Sequence, residues 1–377
     1  MKVAIVHDEL MRRGGAEQVV LTMLKAFPQA DVYTLAYDPN GTYPEFKRFK
    51  VKTSWFQPLA RSVNMMQALF FPFGIWAMKS LKVTGYDVVL ISNTHCGKYV
   101  DIDSRSKVIM YVHTPFRLAW NPESYSQYNS ATGLKKYLFE ILIRYLKKVD
   151  AEGAKNGDYF IGNSKETSDK IKSAYNIKDV EVIHPDVKSR QFYISDKPKE
   201  YYLMVCRLEY YKKVDLAIEV FNNLGFKLII VGNGTKAEQL KALAKDNIEF
   251  KTGLSNTELA EMYANCKALI FPQHEDYGIT PLEANASGRP VIGYGAGGIV
   301  STMLPYRVGG DSKKATAVFF EEQTVESLTN AIAKFERLEF DPIFIKNHAA
   351  KFDEEVFITN IQQFVKEKHE DRLVPGD

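Results

Sequence analysis

The chain has 377 residues, 45% of them hydrophobic and 25% charged, a length that suits two globular domains, each able to bury a core. This composition excludes disorder, collagen and a disulfide miniprotein, and a net charge of +3 is too small to imply wholesale nucleic-acid binding. The charge is uneven: through Arg190 there are 27 Lys and Arg against 19 Asp and Glu, a net +8, while the remainder carries 22 against 27, a net −5. A basic first half fits an anionic membrane surface or a phosphorylated acceptor.

Cys96, Cys206 and Cys266 are an odd, widely spaced set with neither a CxxC nor a zinc pattern, which points to a reducing, cytoplasmic setting. Met1 to His7 holds too short an apolar run for a signal-peptide core and reads as a first buried strand. That strand leads into Gly14-Gly15-Ala16-Glu17 ahead of an amphipathic segment with Val19, Val20, Met23 and Leu24. Two glycines before a helix allow close approach of a ligand to backbone N–H groups, although the pair is also an ordinary turn and is not a GxGxxG dinucleotide fingerprint. The most apolar stretch, Val63 to Met78, is interrupted by Asn64, Gln67, Pro72 and Gly74 and falls short of the ~20 apolar residues a membrane-spanning helix needs.

Further β-branched runs follow at Val88–Ser92 and Val108–Val112, the second ending in Tyr111-Val112-His113-Thr114-Pro115. A histidine at such a strand end can hydrogen-bond a substrate hydroxyl or share a proton, or serve the structure alone. From Leu134 to Val149 the helical projection places Leu138, Phe139, Leu142, Tyr145, Leu146 and Val149 on one side and Lys136, Arg144, Lys147 and Lys148 on the other. This basic amphipathic helix either lies on anionic lipid or covers its own sheet. Tyr159–Gly162 and Val180–Ile183 complete the first strand series. The polar segment His184 to Glu200, with Pro185 and Pro198, reads as an interdomain linker.

The second series is Leu203–Val205, Lys227–Val231, Ile248–Phe250, Ala268–Phe271 and Val291–Ile292, with helical patterns at Val214 to Asn223 and Glu258 to Asn265 between them. Apolar strands alternating with helices mean parallel sheets covered on both faces, so the class is doubly wound α/β, occurring twice. After Leu203–Val205 come Arg207 and, five residues on, Lys212, a cationic pair able to chelate a diphosphate without a metal, or else a solvated basic turn. After Ala268–Phe271 the loop carries Glu275 and Gly278, Pro281 sits where a first helical turn starts, and Glu283 follows within the helix. Two acceptor-only carboxylates beside a strand-to-helix turn, at the sheet edge where such folds bind ligands, suit the hydroxyls of a ribose and a sugar ring. The plainer alternative is two surface glutamates near a helix dipole. Helical spacing resumes after Phe320 and over Glu354 to Glu370, and Asp371 to Asp377 reads as a frayed end.

In this order the Gly-Gly-x-Glu loop, the His-Thr-Pro strand end, Arg207-Leu-x-x-x-Lys212 and the Glu-x7-Glu of Glu275 and Glu283 resemble the retaining glycosyltransferases of family four. Within that family, HTPFRLAW and CRLEYYKKVDLAIEVF look most like bacterial mannosyltransferases of exopolysaccharide and O-antigen assembly. The resemblance implies a GT-B fold, two Rossmann-like domains facing across a cleft, with a C-terminal helix returning toward the first. The acceptor domain spans residues 1–186, the nucleotide-sugar domain 199–355, and the helix and tail 356–377. It also implies that Arg207 and Lys212 bind the donor diphosphate, Glu283 the ribose and Glu275 the sugar. Tyr277, Gly278, Ile279 and Thr280 share that turn, Gly253 lies near the base, Gly14 and Gly15 face the phosphates and acceptor, and His113 sits beside the anomeric centre.

The implied reaction moves a sugar, mannose from GDP-mannose as first choice, to a glycan or lipid-linked saccharide, on the inner face of the membrane and without nucleic acid. A UDP-sugar such as UDP-glucose is the alternative donor, and a nucleotide-sugar 2-epimerase or a catalytically silent sugar-binding protein the alternative functions. No Asp-x-Asp motif lies near the expected donor site, so neither a cofactor nor an essential metal is expected. Two departures from the family pattern stand out. Asp186 replaces a second proline after Pro185, expected to matter only to the linker, and Ser301 and Thr302 stand where an acidic residue often follows the Gly297-Gly298 pair.

Overall fold

A computed structural model describes residues 1–370, so the expectation for residues 371–377 lies outside the described residues. The chain divides into two compact units, Met1–Pro185 joined by the chain from Glu355 onward, and Asp186–Glu354.

The first unit is built on a seven-stranded, wholly parallel sheet. Across it lie Val51–Thr53, Asp31–Thr34, Val3–His7, Val88–Asn93, Lys107–Val112, Tyr159–Gly162 and Glu181–Val182. Strand order reverses direction between Val3–His7 and Val88–Asn93, so the loops leaving His7 and Asn93 open at the switch point. Both faces are buried with the two-residue period of a strand. Ala4 and Val6 pack in one core cluster, Val3 and Ile5 in the other. The helix Glu354–Glu370 closes this second cluster with Phe357, Ile361 and Val365, one residue per helical turn, and Gln362 donates to the Ala26 carbonyl at 2.8 Å.

The second unit repeats the plan with six parallel strands, ordered Ile248–Lys251, Leu228–Val231, Tyr202–Val205, Leu269–Phe271, Val291–Tyr294 and Ala317–Phe320. Its switch point falls between Tyr202–Val205 and Leu269–Phe271, the strands that lead to Arg207 and Glu275. Tyr202 and Met204 face one cluster, Tyr201 and Leu203 the other.

The structure departs from the sequence reading in three places, in short strands, in the linker and in the helix after Thr132, and it adds detail at the apolar stretch from Val63. Asp31–Thr34, Val51–Thr53 and Ala317–Phe320 are strands that the periodicity did not single out. They are three or four residues long, too short to display a period. The apolar stretch from Val63 is a helix, Val63–Lys79, started by the Ser62 hydroxyl accepting from the Met65 N–H at 3.2 Å. Among the described residues no helix is long and apolar enough to cross a membrane.

The expected linker is instead part of the second unit's body from Asp186 on. Val187 donates to the Phe352 carbonyl at 2.8 Å, Ser189 Oγ to Asp353 at 2.6 Å, and Phe192 packs edge-on to Tyr263. Asp186 is buried, and its charge adds to burial in raising the pKa of the Tyr277 hydroxyl, so the departure from proline reaches the loop that leads to the helix carrying Glu283.

Finally, the helix Gly133–Ala154 divides its apolar residues between two faces. Ile143 and Leu146 turn inward, while Leu134, Tyr137, Leu138, Ile141 and Tyr145 form an outward stripe. Leu138 and Tyr145 are thus exposed, against the projected grouping with Leu146. Gly153 and Asp150 fix the rotation. A Cβ on Gly153 would meet the Tyr99 ring at 2.5 Å, and the fully buried Asp150 pairs with the fully buried Lys98 while accepting from Trp120 Nε1 and the Tyr175 hydroxyl at 2.8 and 2.9 Å.

Candidate active site

In the second unit the loop after Tyr202–Val205 is pinned from below by two glycines. A Cβ on Gly232 would meet the Cys206 carbonyl at 1.9 Å, and one on Gly234 the Leu208 carbonyl at 2.4 Å, so only glycine lets the two turns stack. The loop then carries Lys212, which is buried, onto Glu275 Oε1 in a direct ion pair. Gln273 donates to the same oxygen at 3.2 Å, and its own buried Oε1 has no hydrogen-bond partner among the described residues. Lys212 and Glu275, which the sequence reading placed on different parts of the donor, therefore neutralise one another at the switch point. Arg207 stands apart, exposed, with Nη2 donating to the Tyr211 hydroxyl at 3.0 Å.

The Glu275 loop enters the helix Ile279–Ala286 through Gly278, whose φ of 83° is open chiefly to glycine. Tyr277 is buried, and the first-turn N–H groups of Ile279 and Thr280 lack helical acceptors and suit an anion. Glu283 follows one turn on. Its Oε2 accepts from the Tyr263 hydroxyl at 2.6 Å, its Oε1 makes no hydrogen bond among the described residues, and burial pushes its carboxyl above the ordinary range.

The Gly297-Gly298 pair packs on the Glu275 loop. The Gly298 N–H donates to the Glu275 carbonyl at 2.8 Å, and a Cβ on Gly298 would lie 2.4 Å from the Asp276 carbonyl oxygen and from Tyr277 Cα. The pair supports the loop through backbone, which needs no acidic residue at Ser301 or Thr302. Gly253, exposed with φ of 72°, follows the edge strand Ile248–Lys251, two strands from the switch point.

The first unit gathers a second set of groups. Gly14 caps the helix Gly15–Ala26, and the buried Glu17 folds back against it so closely that a Cβ on Gly14 would meet Glu17 Oε2 at 2.5 Å, whereas Gly15 faces open space. His113 Nε2 lies 2.9 Å from Ser92 Oγ, and burial, with His7 adding to it, pulls its pKa down to about 3. At the switch point itself Asp8 is buried beside Glu9, His95 and Cys96.

Asp8, His95 and Cys96 offer ligand atoms within 4.8 Å of one another. Both Asp8 oxygens are already engaged, however. Oδ2 accepts from Thr94 N and Oγ1 at 2.6 Å each, and Oδ1 from Cys96 N at 2.7 Å and Gly97 N at 2.6 Å. Burial pushes the Cys96 thiol up to about 12, the opposite of what a metal thiolate needs. The trio is a loop anchor. Burial pulls His95 down, but Cys96, Asp8 and Glu9 outweigh it and hold the ring well above its ordinary pKa. His95 Nε2 lies 3.4 Å from Glu9, whose other oxygen accepts from Arg12 at 2.8 Å.

Sequence reasoning passed over Tyr263, Gln273, Gly232 and Gly234, and the Asp8-Glu9-His95 set. Asp8-Glu9 directly after a buried strand was a visible signal. Tyr263 gave none, because a tyrosine on an amphipathic helix looks like core.

Two family profiles tile this chain, "Glycosyltransferase Family 4" over residues 13–188 and "Glycosyl transferases group 1" over residues 186–357. The chain belongs to the family-four glycosyltransferases. It is a hexosyltransferase. The alpha-1,3/1,6-mannosyltransferase ALG2 of Saccharomyces cerevisiae is 23% identical over 83% of this glycosyltransferase and 73% of its own length, and that of Dictyostelium discoideum is 22% identical over 97% and 98%. The O-antigen chain mannosyltransferase RfbU of Salmonella typhimurium is 26% identical over 41% of the chain and 46% of its own length. Among solved structures, sucrose-phosphate synthase from Thermosynechococcus elongatus aligns at a TM-score of 0.72 with 16% identity, covering 98% of this chain and all of its own. Anabaena HepE in complex with UDP aligns at 0.68 with 15% identity, covering 97% and 100%. These neighbours share the fold of the two Rossmann-like units, the GT-B architecture.

Proposed function

We propose that this glycosyltransferase moves mannose from GDP-mannose, with retention and without a metal, onto a glycan or lipid-linked saccharide used in cell-surface polysaccharide synthesis. The observation that carries the donor half is the Lys212–Glu275 pair at the second sheet's switch point, beside the open helix start at Ile279. A cation and a carboxylate held side by side match a ligand whose anionic diphosphate adjoins a hydroxyl-bearing sugar. The donor in this reading exchanges the ion pair for its own contacts. Lys212 and the exposed Arg207 take the phosphate oxygens, Glu275 the sugar hydroxyls and Glu283 Oε1 the ribose.

As the bond from the anomeric carbon to phosphate breaks, charge grows on the leaving diphosphate, and fixed cations stabilise that charge more in the transition state than in the ground state. The acceptor oxygen bonds the anomeric carbon on the same face, and its proton passes to the departing phosphate oxygen. The choice of mannose rests on the ALG2 and RfbU relatives.

The acceptor half places the enzyme on an anionic bilayer. The outward stripe of the helix Gly133–Ala154 is flanked by Lys135, Arg144 and Lys148, and the helix Val63–Lys79 exposes Phe73 and Trp76, the latter 64% accessible. Apolar side chains ringed by cations match lipid headgroups over acyl chains.

A donor-hydrolysis and transfer screen across GDP- and UDP-sugars tests the reading. GDP-mannose turnover that rises with a lipid-linked saccharide supports it, a preference for UDP-glucose overturns the donor, and release of a free, epimerised sugar without any acceptor marks an epimerase.

A further inference from the structure

Three neighbouring strands of the first unit bring His7, Ser92 and His113 into one buried chain of polar atoms. His7 Nδ1 lies 3.1 Å from the Ser92 carbonyl oxygen and 3.0 Å from Ser92 Oγ, and Ser92 Oγ lies 2.9 Å from His113 Nε2. His7 and Ser92 are buried, and the pairing register of the sheet sets His7 opposite Ser92.

Hydrogen positions in this chain follow from donor and acceptor counting. The Ser92 carbonyl can only accept, so the His7 nitrogen that faces it must carry a proton. That N–H is shared with Ser92 Oγ, and if the second lone pair of Oγ also accepted, from His113, the buried hydroxyl proton would be left without an acceptor. The single hydroxyl proton of Ser92 then has one acceptor left in reach, His113 Nε2. A nitrogen that accepts cannot bear a proton, and a ring pulled down to about 3 by burial is not an imidazolium at working pH. The reverse arrangement would set two lone pairs against each other at His7 and leave a buried carbonyl contact unpaired.

We propose that Ser92, oriented by His7, is a positioning residue that fixes His113 as the neutral tautomer with its proton on Nδ1, so that the ring meets the transferred sugar or its acceptor as a hydrogen-bond donor and never as a base. The functional half rests on the reading above that places His113 at the anomeric side. The tautomer rests on this unit's geometry alone. Nδ1 has no hydrogen-bond partner among the described residues, and the residue as a whole, although its ring is desolvated, is not sealed from the surface, so its proton is available to a ligand. The backbone around the ring is fixed as well. His113 N donates to the Asn93 carbonyl at 3.0 Å, and its own carbonyl accepts from Asn163 Nδ2 at 2.9 Å. The groups facing it are Tyr111, whose ring centroid is 5.1 Å away, and, as charges acting on it, His7 and Asp8. A proton-donating His113 also agrees with same-face transfer, in which the departing phosphate takes the acceptor's proton and no protein base is required.

The test is a long-range proton–nitrogen correlation spectrum of the full chain labelled with nitrogen-15 at its seven histidines, recorded near neutral pH without substrate, with His113 assigned by its loss in His113→Gln. The expected result is a protonated Nδ1 and an unprotonated Nε2 for His113. A proton on Nε2, or an imidazolium, overturns the proposal. In Ser92→Ala the His113 signals should move to a mixture of tautomers and kcat should fall at least about tenfold with the donor KM little changed, and Ser92→Thr should restore both. A tautomer unchanged in Ser92→Ala overturns the role of Ser92. The spectrum needs no substrate, so a wrong donor or acceptor assignment leaves the tautomer result intact and is told apart from it.

Discussion

Glu275 and Glu283 leave the same loop but stand in different surroundings, and that difference sets their expected roles. Glu275 shares its oxygen with a lysine and a glutamine, whereas Glu283 is half-buried against the Tyr263 hydroxyl with one oxygen free to accept. Glu283→Gln should weaken binding of the bare nucleoside diphosphate by ~1.5–3 kcal/mol, because a charge-assisted bond to ribose becomes a neutral one. Glu275→Gln should leave that affinity nearly unchanged while lowering transfer. Calorimetry with the bare nucleotide separates them, and equal losses in both variants would mean the ribose and sugar roles are misassigned.

Gly298 offers a purely steric case, since its φ of −63° suits any residue. The methyl of Gly298→Ala would press on the backbone of Asp276 and Tyr277, so the Glu275 loop must move. Transfer should drop about a hundredfold while far-ultraviolet dichroism stays unchanged. Wild-type rates in that variant would show the loop to be mobile enough to ignore its support.

His113 carries a pH signature of its own. Its folded pKa of about 3 lies below the ordinary 6.5, so between those values the unfolded chain binds a proton that the folded chain does not. Stability from this group is complete above pH 6.5 and is lost as pH falls toward 3, at about 1.4 kcal/mol per pH unit. Urea unfolding at about pH 6.5 and 5 should show up to about 2 kcal/mol of acid sensitivity that His113→Gln removes. An identical slope in the variant would place the sensitivity elsewhere.

At the scale of elements, the helix Gly133–Ala154 is held by one face and leaves another unpaired. Its inner face is locked by the Lys98–Asp150 pair and by close packing at Gly153, so the exposed stripe is a fixed feature of the fold. Leu134→Glu with Leu138→Glu changes two residues that are 73% and 56% accessible and leaves the packed face alone. The double variant should keep its thermal midpoint and lose sedimentation with phosphatidylglycerol vesicles, while the parent protein should bind those far better than phosphatidylcholine vesicles and release them in high salt. Undiminished vesicle binding in the variant would remove the stripe from the interface.

For the molecule as a whole, the proposed function has Arg207 and Lys212 supply the charge that a leaving diphosphate needs. Transfer in excess EDTA should therefore equal transfer with magnesium. A loss restored by magnesium would return a divalent ion to the mechanism.

The class of this protein was legible in its residues because buried parallel strands are apolar without interruption and recur between helical periods, as in Val3–His7 and Leu228–Val231. That Arg207 and Glu275 stand at the sheet edge was legible too, since they follow closely on buried strands, whereas Lys212 and Glu283 were singled out by their spacing from them. What the sequence could not convey is which of these groups meet. Strand order is set by packing across the sheet, and only that order puts Tyr202–Val205 beside Leu269–Phe271 and so joins Lys212 to Glu275 across 63 residues. The same holds for His113, which the sequence singled out alone, and for His7 and Ser92, which it passed over, because the three become one hydrogen-bonded chain only through the register of neighbouring strands. Local pattern reports how a segment is buried, whereas contacts between distant segments depend on the order and register in which the whole sheet assembles.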